Sequence, residues 1–181
     1  MLRVPVTPAD HRQGDPAAPV TLVEYGDYEC PHCGRAHPVV KAVQRHFGLR
    51  LAFVFRNFPL SQAHAHAEAA AETAEFAGTH GRFWEMHDAL FEKQAFLGAG
   101  LLLELAEAVG LSADELQAAL AAKAYAARVR SDFIGGVRSG VNGTPTFFVN
   151  GVRHDGAPDV ESLVEVIEEA AAGGGPGPDA G

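Results

Sequence analysis

The chain of 181 residues holds two cysteines, two methionines and one tryptophan. Two cysteines cannot build a disulfide framework, nor a structural zinc site, which takes four ligands. Basic residues number 14 against 23 acidic ones, for a net charge of −9, and they form no cluster. Nucleic acid is therefore excluded as an expected partner. No apolar run approaches the roughly 20 residues of a membrane-spanning helix, so no membrane partner is expected. Met1–Val6 lacks the apolar stretch of about 7–15 residues that marks a secretory signal. As written, the sequence is expected to be cytoplasmic. A periplasmic or extracytoplasmic location would follow if a leader had been removed.

What is present is concentrated. The two cysteines stand in Cys30-Pro31-His32-Cys33. A bridge across so short a loop removes little entropy from the unfolded chain, so the pair reads as reserved for chemistry rather than for stability. Hydrophobic residues make up 47% of the chain, enough for a full core without metal or disulfide support.

The pattern around the pair predicts its setting. Val20–Tyr25 reads as a strand of β-branched and apolar residues. Gly26-Asp27 is a turn signal. Pro31 suits a first helical position, and Ala36, Val39, Val40, Val43 and Phe47 follow at helical spacing, with Gly48 as a stop. Pro38 is expected to kink this helix. Arg50–Arg56 reads as a second strand, with Leu51, Phe53 and Phe55 on one face and Ala52 and Val54 on the other. Such a strand is covered on both sides. Strand, helix and strand in this order imply a right-handed parallel crossover.

Residues 61–140 read as helical throughout. Ala65–Ala77 ends at Gly78, Phe83–Phe91 is amphipathic, Leu101–Val109 ends at Gly110, and Ser112 with Glu115 forms a capping box. Lys123–Val137 is a further helix or an extension of the one before it. Thr146–Val149 and Gly151–His154 flank Asn150-Gly151, a hairpin signal. Asp159 caps a last helix, Val160–Ala171. The Gly/Pro-rich tail, residues 173–181, is expected to be disordered.

Strand, Cys-x-x-Cys, helix, strand, then a Thr-Pro-Thr-Phe hairpin and a closing helix resemble the thioredoxin fold. The Cys-Pro-His-Cys motif and the helical block ahead of Thr144-Pro145 are similar to the DsbA-like thiol-disulfide oxidoreductases. Gly26-Asp27-Tyr28, Arg56-Asn57-Phe58-Pro59-Leu60 and Phe83-Trp84 add to the likeness, which covers about residues 14–171. The resemblance implies an α/β protein, a thioredoxin fold with an inserted helical domain. Residues 1–60 and 141–172 would form its core and residues 61–140 the insertion. It further implies Cys30 as an exposed nucleophile and Cys33 as its buried partner. Thr144 and a cis Pro145 would form the shelf for a substrate peptide. Glu24 matches a buried acid that helps move the proton of the second cysteine. No cofactor is implied beyond the Cys30–Cys33 disulfide. Protein thiols or disulfides are the implied substrates. A redox recycling partner of unstated identity and a monomeric chain complete the picture, and the direction of electron flow stays open.

The chemistry needs Cys30 as a thiolate near neutral pH. A helix N-terminus supplies unpaired N–H groups and about half a positive charge, and Pro31 starts that helix. His32 adds a donor. Glu29 and Asp27 would oppose ionisation, and Glu29 is expected to turn to solvent. Glu24 could instead be a partly solvated acid. His64, His66 and Glu68 invite a metal reading, but residues two apart on a helix do not face one another, so they read as solvated helix residues and no metal site is expected. Phe83, Trp84, Met86 and Phe91 read as core. Two other readings compete: a glutathione-dependent transferase or isomerase of the kappa type, which usually has serine in place of Cys30, and a non-enzymatic metal-binding or interaction module.

Overall fold

The structure, a computed structural model, describes residues 1–173. The expectation for the tail lies, from residue 174 on, outside the described residues.

Five strands form one mixed sheet in the order β1-β3-β2-β4-β5. Strand β2 (Val20–Gly26) runs parallel to β3 (Leu51–Asn57), with Val20 opposite Leu51 and Gly26 opposite Asn57. Helix α1 (Pro31–Phe47) and a short 3₁₀ turn, Gly48–Arg50, connect them. Arg50 thus belongs to the turn rather than to the strand. Gly48 ends α1 with a φ of 53°, the left-handed conformation open to glycine. Pro38 sits inside α1 without ending it.

Strand β4 (Thr146–Val149) lies antiparallel to β2 on its other side and turns back into β5 (Val152–His154). Asn150 and Gly151 both have positive φ, 46° and 80°, as a tight hairpin turn requires. Strand β1 (His11–Gln13) pairs antiparallel with the outer edge of β3. Its three polar residues carry no apolar alternation, so the sequence pattern does not reveal it.

Both faces of the sheet are covered, which is why β2 and β3 alternate without a polar face. On one face Val20, Leu22, Phe53, Phe55 and Phe147 join a core with Val40, Val43 and Phe47 of α1. On the other, Val23, Tyr25, Val54 and Phe148 pack with Phe58 and Val141. Helix α6 (Ala126–Arg138) closes that second face, where Gly136 lets it approach: a Cβ there would stand 2.7 Å from the Phe58 ring.

The helices between β3 and β4 are α2 (Ala67–Thr79), α3 (Phe83–Glu92), α4 (Ala99–Ala108), α5 (Ala113–Ala121) and α6. Helix α2 does not stop at Gly78. That glycine lies in its last turn, and a Cβ on it would come within 2.9 Å of the His11 ring. Close approach by β1, not a helix stop, explains the residue. Helix α6 is separate from α5, because Lys123 takes a φ of 49° and breaks the run. Ser112 caps α5 by accepting from the Glu115 N–H, and Asp159 caps α7 (Val160–Ala172) by accepting from the Ser162 N–H. No helix among the described residues is long and apolar enough to cross a membrane.

Candidate active site

Strand β2 ends at Gly26, and the chain turns through Asp27–Glu29 into α1. The turn closes with the Cys30 N–H donating to the Asp27 carbonyl, 3.1 Å. Cys30 occupies the cap position of α1, with extended backbone, and Pro31 is the first helical residue. Both sulfurs are in their reduced, unbonded form. Cys33, one turn into the helix, is fully buried, and its sulfur accepts from the Asp27 N–H at 3.4 Å.

Cys30 is not the exposed residue that the resemblance implied: only 4% of it meets solvent. The cover comes from the Thr144–Pro145 segment, whose peptide bond is cis. The Cys30 thiol donates to the Thr144 carbonyl at 3.4 Å.

Four groups favour losing that proton. The Cys33 thiol donates to the Cys30 sulfur, and this is the strongest influence. Burial opposes it. The Thr144 hydroxyl and the N–H groups of Cys33 and His32 add to the pull, and together they bring the Cys30 pKa down to about 5. As a thiol, Cys30 makes no capping hydrogen bond; as a thiolate, it draws the second and third N–H groups of its helix. The Thr144 hydroxyl is buried and has no hydrogen-bond partner while Cys30 is a thiol. Cys33 moves the opposite way, well above the ordinary thiol value, because of burial, its bond to Cys30 and the charge of Glu24.

Glu24 is buried, not partly solvated: 2% of it is exposed, and one of its oxygens has no hydrogen-bond partner. Burial raises its pKa to about 8, so it holds a proton at neutral pH.

Several neighbours are not where the sequence reading put them. The His32 ring is exposed and accepts from the Arg35 guanidinium at 2.8 Å, so His32 acts on Cys30 through its backbone. Glu29 does not turn to solvent; its carboxylate accepts from the His66 N–H at 2.6 Å. His64 and His66 are not helix-face residues, since α2 begins at Ala67. The His64 ring reaches back to Asp27, 2.7 Å, and that bond raises its pKa. Asp27 is buried and also accepts from the Glu29 and Leu60 N–H groups, 2.8 Å each, so its carboxylate is held by donors rather than turned on the sulfur.

Gln94 was not anticipated at all. Its amide donates to the Tyr28 and Cys30 carbonyls, at 2.8 and 2.9 Å, and clamps the turn. A Cβ at residue 34 would meet its oxygen at 2.2 Å, so Gly34 makes room for it. A glycine directly after Cys33 was the only trace of this in the sequence. Phe83, Met86 and Phe91 are buried, with Trp84 packed against them. An open groove of about 530 Å³ runs between α1 and the cis-proline segment, along His32, Arg35, Val39, Thr144, Pro145 and Pro158.

Sheet, crossover helix, buried dithiol and facing proline segment define a DsbA-like thioredoxin-fold protein. A thioredoxin family model matches residues 6–169, and the chain belongs to that family. Among solved structures it is similar to oxidised BdbD from Bacillus subtilis, with 28% identity and a TM-score of 0.83, covering 90% of this chain and 93% of that one. A thioredoxin-like oxidoreductase from Silicibacter pomeroyi DSS-3 matches at 27% identity and a TM-score of 0.79, over 92% of this chain and 94% of that one. Wolbachia pipientis alpha-DsbA1, at 22% identity and a TM-score of 0.82 over 96% of each chain, shares the fold. Among curated sequences, a Na(+)/H(+) antiporter NhaA 1 from Salinispora arenicola is 46% identical over 95% of this chain but only 26% of that protein. The chain thus spans about a quarter of the length of the curated relatives it matches.

Proposed function

We propose that the protein is a thiol-disulfide oxidoreductase that exchanges disulfides with protein thiols through Cys30 and Cys33. The observation that carries this reading is the placement of the two sulfurs at one helix N-terminus, Cys30 at the cap against the Thr144 carbonyl and Cys33 fully buried, which pulls the first pKa down and pushes the second up. A structural pair has no use for that asymmetry, whereas an exchanging pair needs one good leaving thiolate and one proton-holding thiol. The oxidoreductase from Silicibacter pomeroyi supports the same reading.

In the oxidised protein a substrate thiolate attacks the Cys30 sulfur. The Cys30–Cys33 bond breaks, its electron pair goes to Cys33, and a mixed disulfide forms. Glu24, protonated at neutral pH and close enough to Cys33 that ionising either group would disfavour ionising the other, supplies the proton. A second substrate thiolate then attacks the substrate sulfur and releases Cys30 as a thiolate. The reverse sequence reduces a substrate disulfide. Direction follows the potential of the partner, and stabilising the Cys30 thiolate makes the disulfide the stronger oxidant. Pro145 lacks an N–H, and the groove along it takes an extended substrate peptide.

Oxidation of a dithiol peptide by the purified protein tests the proposal. Cys30→Ser should abolish turnover, and Cys33→Ser should accumulate a mixed disulfide with Cys30. Normal turnover by Cys30→Ser would reject it.

A further inference from the structure

We propose that His37, His87 and Asp88 form a binding site for a divalent cation of zinc type, clamping α1 to α3. Among the described residues these three bring one ligand atom each to within 4.8 Å of one another. They are far apart in the chain: His37 lies one turn beyond Cys33 on α1, and His87 and Asp88 are consecutive on α3.

Three observations turn the cluster into a site. Asp88 Oδ1 is buried and has no hydrogen-bond partner, while Oδ2 is taken by the Lys41 ammonium at 2.6 Å. His37 Nε2 stands 3.6 Å from that orphan oxygen, too far to satisfy it. Leaving such an oxygen unpaired is unfavourable, and a cation would satisfy it. His87 is 2% exposed, and its Nδ1 meets the Tyr28 hydroxyl at 3.0 Å. That bond fixes the ring and leaves Nε2 as the free ligand atom, the outer-sphere arrangement common to metal-bound histidines. A groove between the helices, lined by Gly34, Pro38, Lys41, Arg45, Phe91 and Glu92, opens beside His37 and gives a path, past two cationic side chains, for the ion and for a water as fourth ligand.

Two imidazoles, one carboxylate and an open position suit zinc, and nickel and copper after it, better than calcium or magnesium, which take oxygen. Ligand atoms around tetrahedral zinc stand ~3.4 Å apart, so each side chain would shift by under ~1 Å. His37 and Asp88 keep part of their surface in solvent and have room to move. Lys41 and Arg45 are the opposing charges, and the site must compete with the Lys41–Asp88 ion pair.

The test uses protein with both Cys30 and Cys33 replaced by serine, so that no thiolate can take the metal. Titration with Co²⁺ should give stoichiometric binding with the visible bands of a tetrahedral nitrogen and oxygen site, reversed by Zn²⁺. His37→Ala and Asp88→Ala should each weaken binding roughly tenfold or more. Lys41→Met should tighten it, a change that a purely structural ion pair would not produce. His46→Ala, on the exposed end of α1, should leave it unchanged. Absence of stoichiometric binding would overturn the proposal. So would binding that survives both His37→Ala and Asp88→Ala, or binding lost with His46→Ala.

Discussion

At the scale of single residues, the site is a set of opposed titrations. Cys30 is drawn down by donors, while Cys33 and Glu24 are pushed up by burial. Each shift is a statement about stability at a given pH. Glu24 ionises in the unfolded chain near 4.5 but in the fold only near 8. Its folded pKa is raised, so it costs nothing below the lower value, costs progressively more across the interval, and levels off above the higher one. Glu24→Gln should therefore gain stability over the parent protein through that window, by up to ~1.4 kcal/mol per pH unit, with no difference at acid pH. Denaturant unfolding at a series of pH values measures it. A pH-independent difference would mean that the carboxyl is not held protonated. The same variant should slow exchange at Cys33, whose proton it no longer supplies.

The sequence disclosed some of these residues and hid others, for a physical reason. Cys30 and Cys33 are chemically unusual wherever they stand, so type and spacing reveal them; Thr144-Pro145 is legible through the family resemblance. Glu24 is legible through the same resemblance. Asp27, His64 and Gln94 matter only because of where the fold takes them. The last two come from a turn and a short 3₁₀ helix farther along the chain, and no local period marks an amide that will bond the Cys30 carbonyl.

At the scale of elements, the helix that presents the cysteines is set by local signals: a proline start, a glycine stop and an apolar stripe through Ala36, Val40, Val43 and Phe47. These signals are legible because propensity and packing agree. Where they conflict, reading fails. Helix α2 starts two residues later than the alanine-rich pattern predicts, because such a run has no start signal of its own. Gly78 looked like a stop because its real neighbour, His11, belongs to a strand too short and polar to anticipate. The closing helix α7 rests on a cap that was legible, with Asp159 accepting from the Ser162 N–H at 2.9 Å. Asp159→Ala should cost about 1 kcal/mol of stability, and Asp159→Asn much less. Thermal unfolding of the two variants checks this. An equal loss for both would assign the effect to charge rather than to the cap.

At the scale of the molecule, two covered sheet faces hold the end of β2 rigid, and the active turn grows from that end. The N-terminal segment locks the far side. Arg56 is buried and donates to Asp10, to the Val4 and Pro5 carbonyls and to the Tyr25 hydroxyl. Breaking a buried pair by removing one partner costs more than the pair contributes, since the remaining charge is stranded. This network explains why an arginine can sit near the end of a buried strand, a feature that alternation alone could not explain. The parallel crossover and the hairpin were legible in the sequence. The edge strand and the lock were not, because each depends on segments meeting across the fold.

The ultraviolet absorbance of the thiolate, followed against pH in the reduced protein, is the most direct measurement. A single group should titrate with a midpoint of about 5 and disappear in Cys30→Ser. A midpoint near the ordinary cysteine value of about 8.5 would contradict the claim that this helix and its neighbours hold one sulfur ionised.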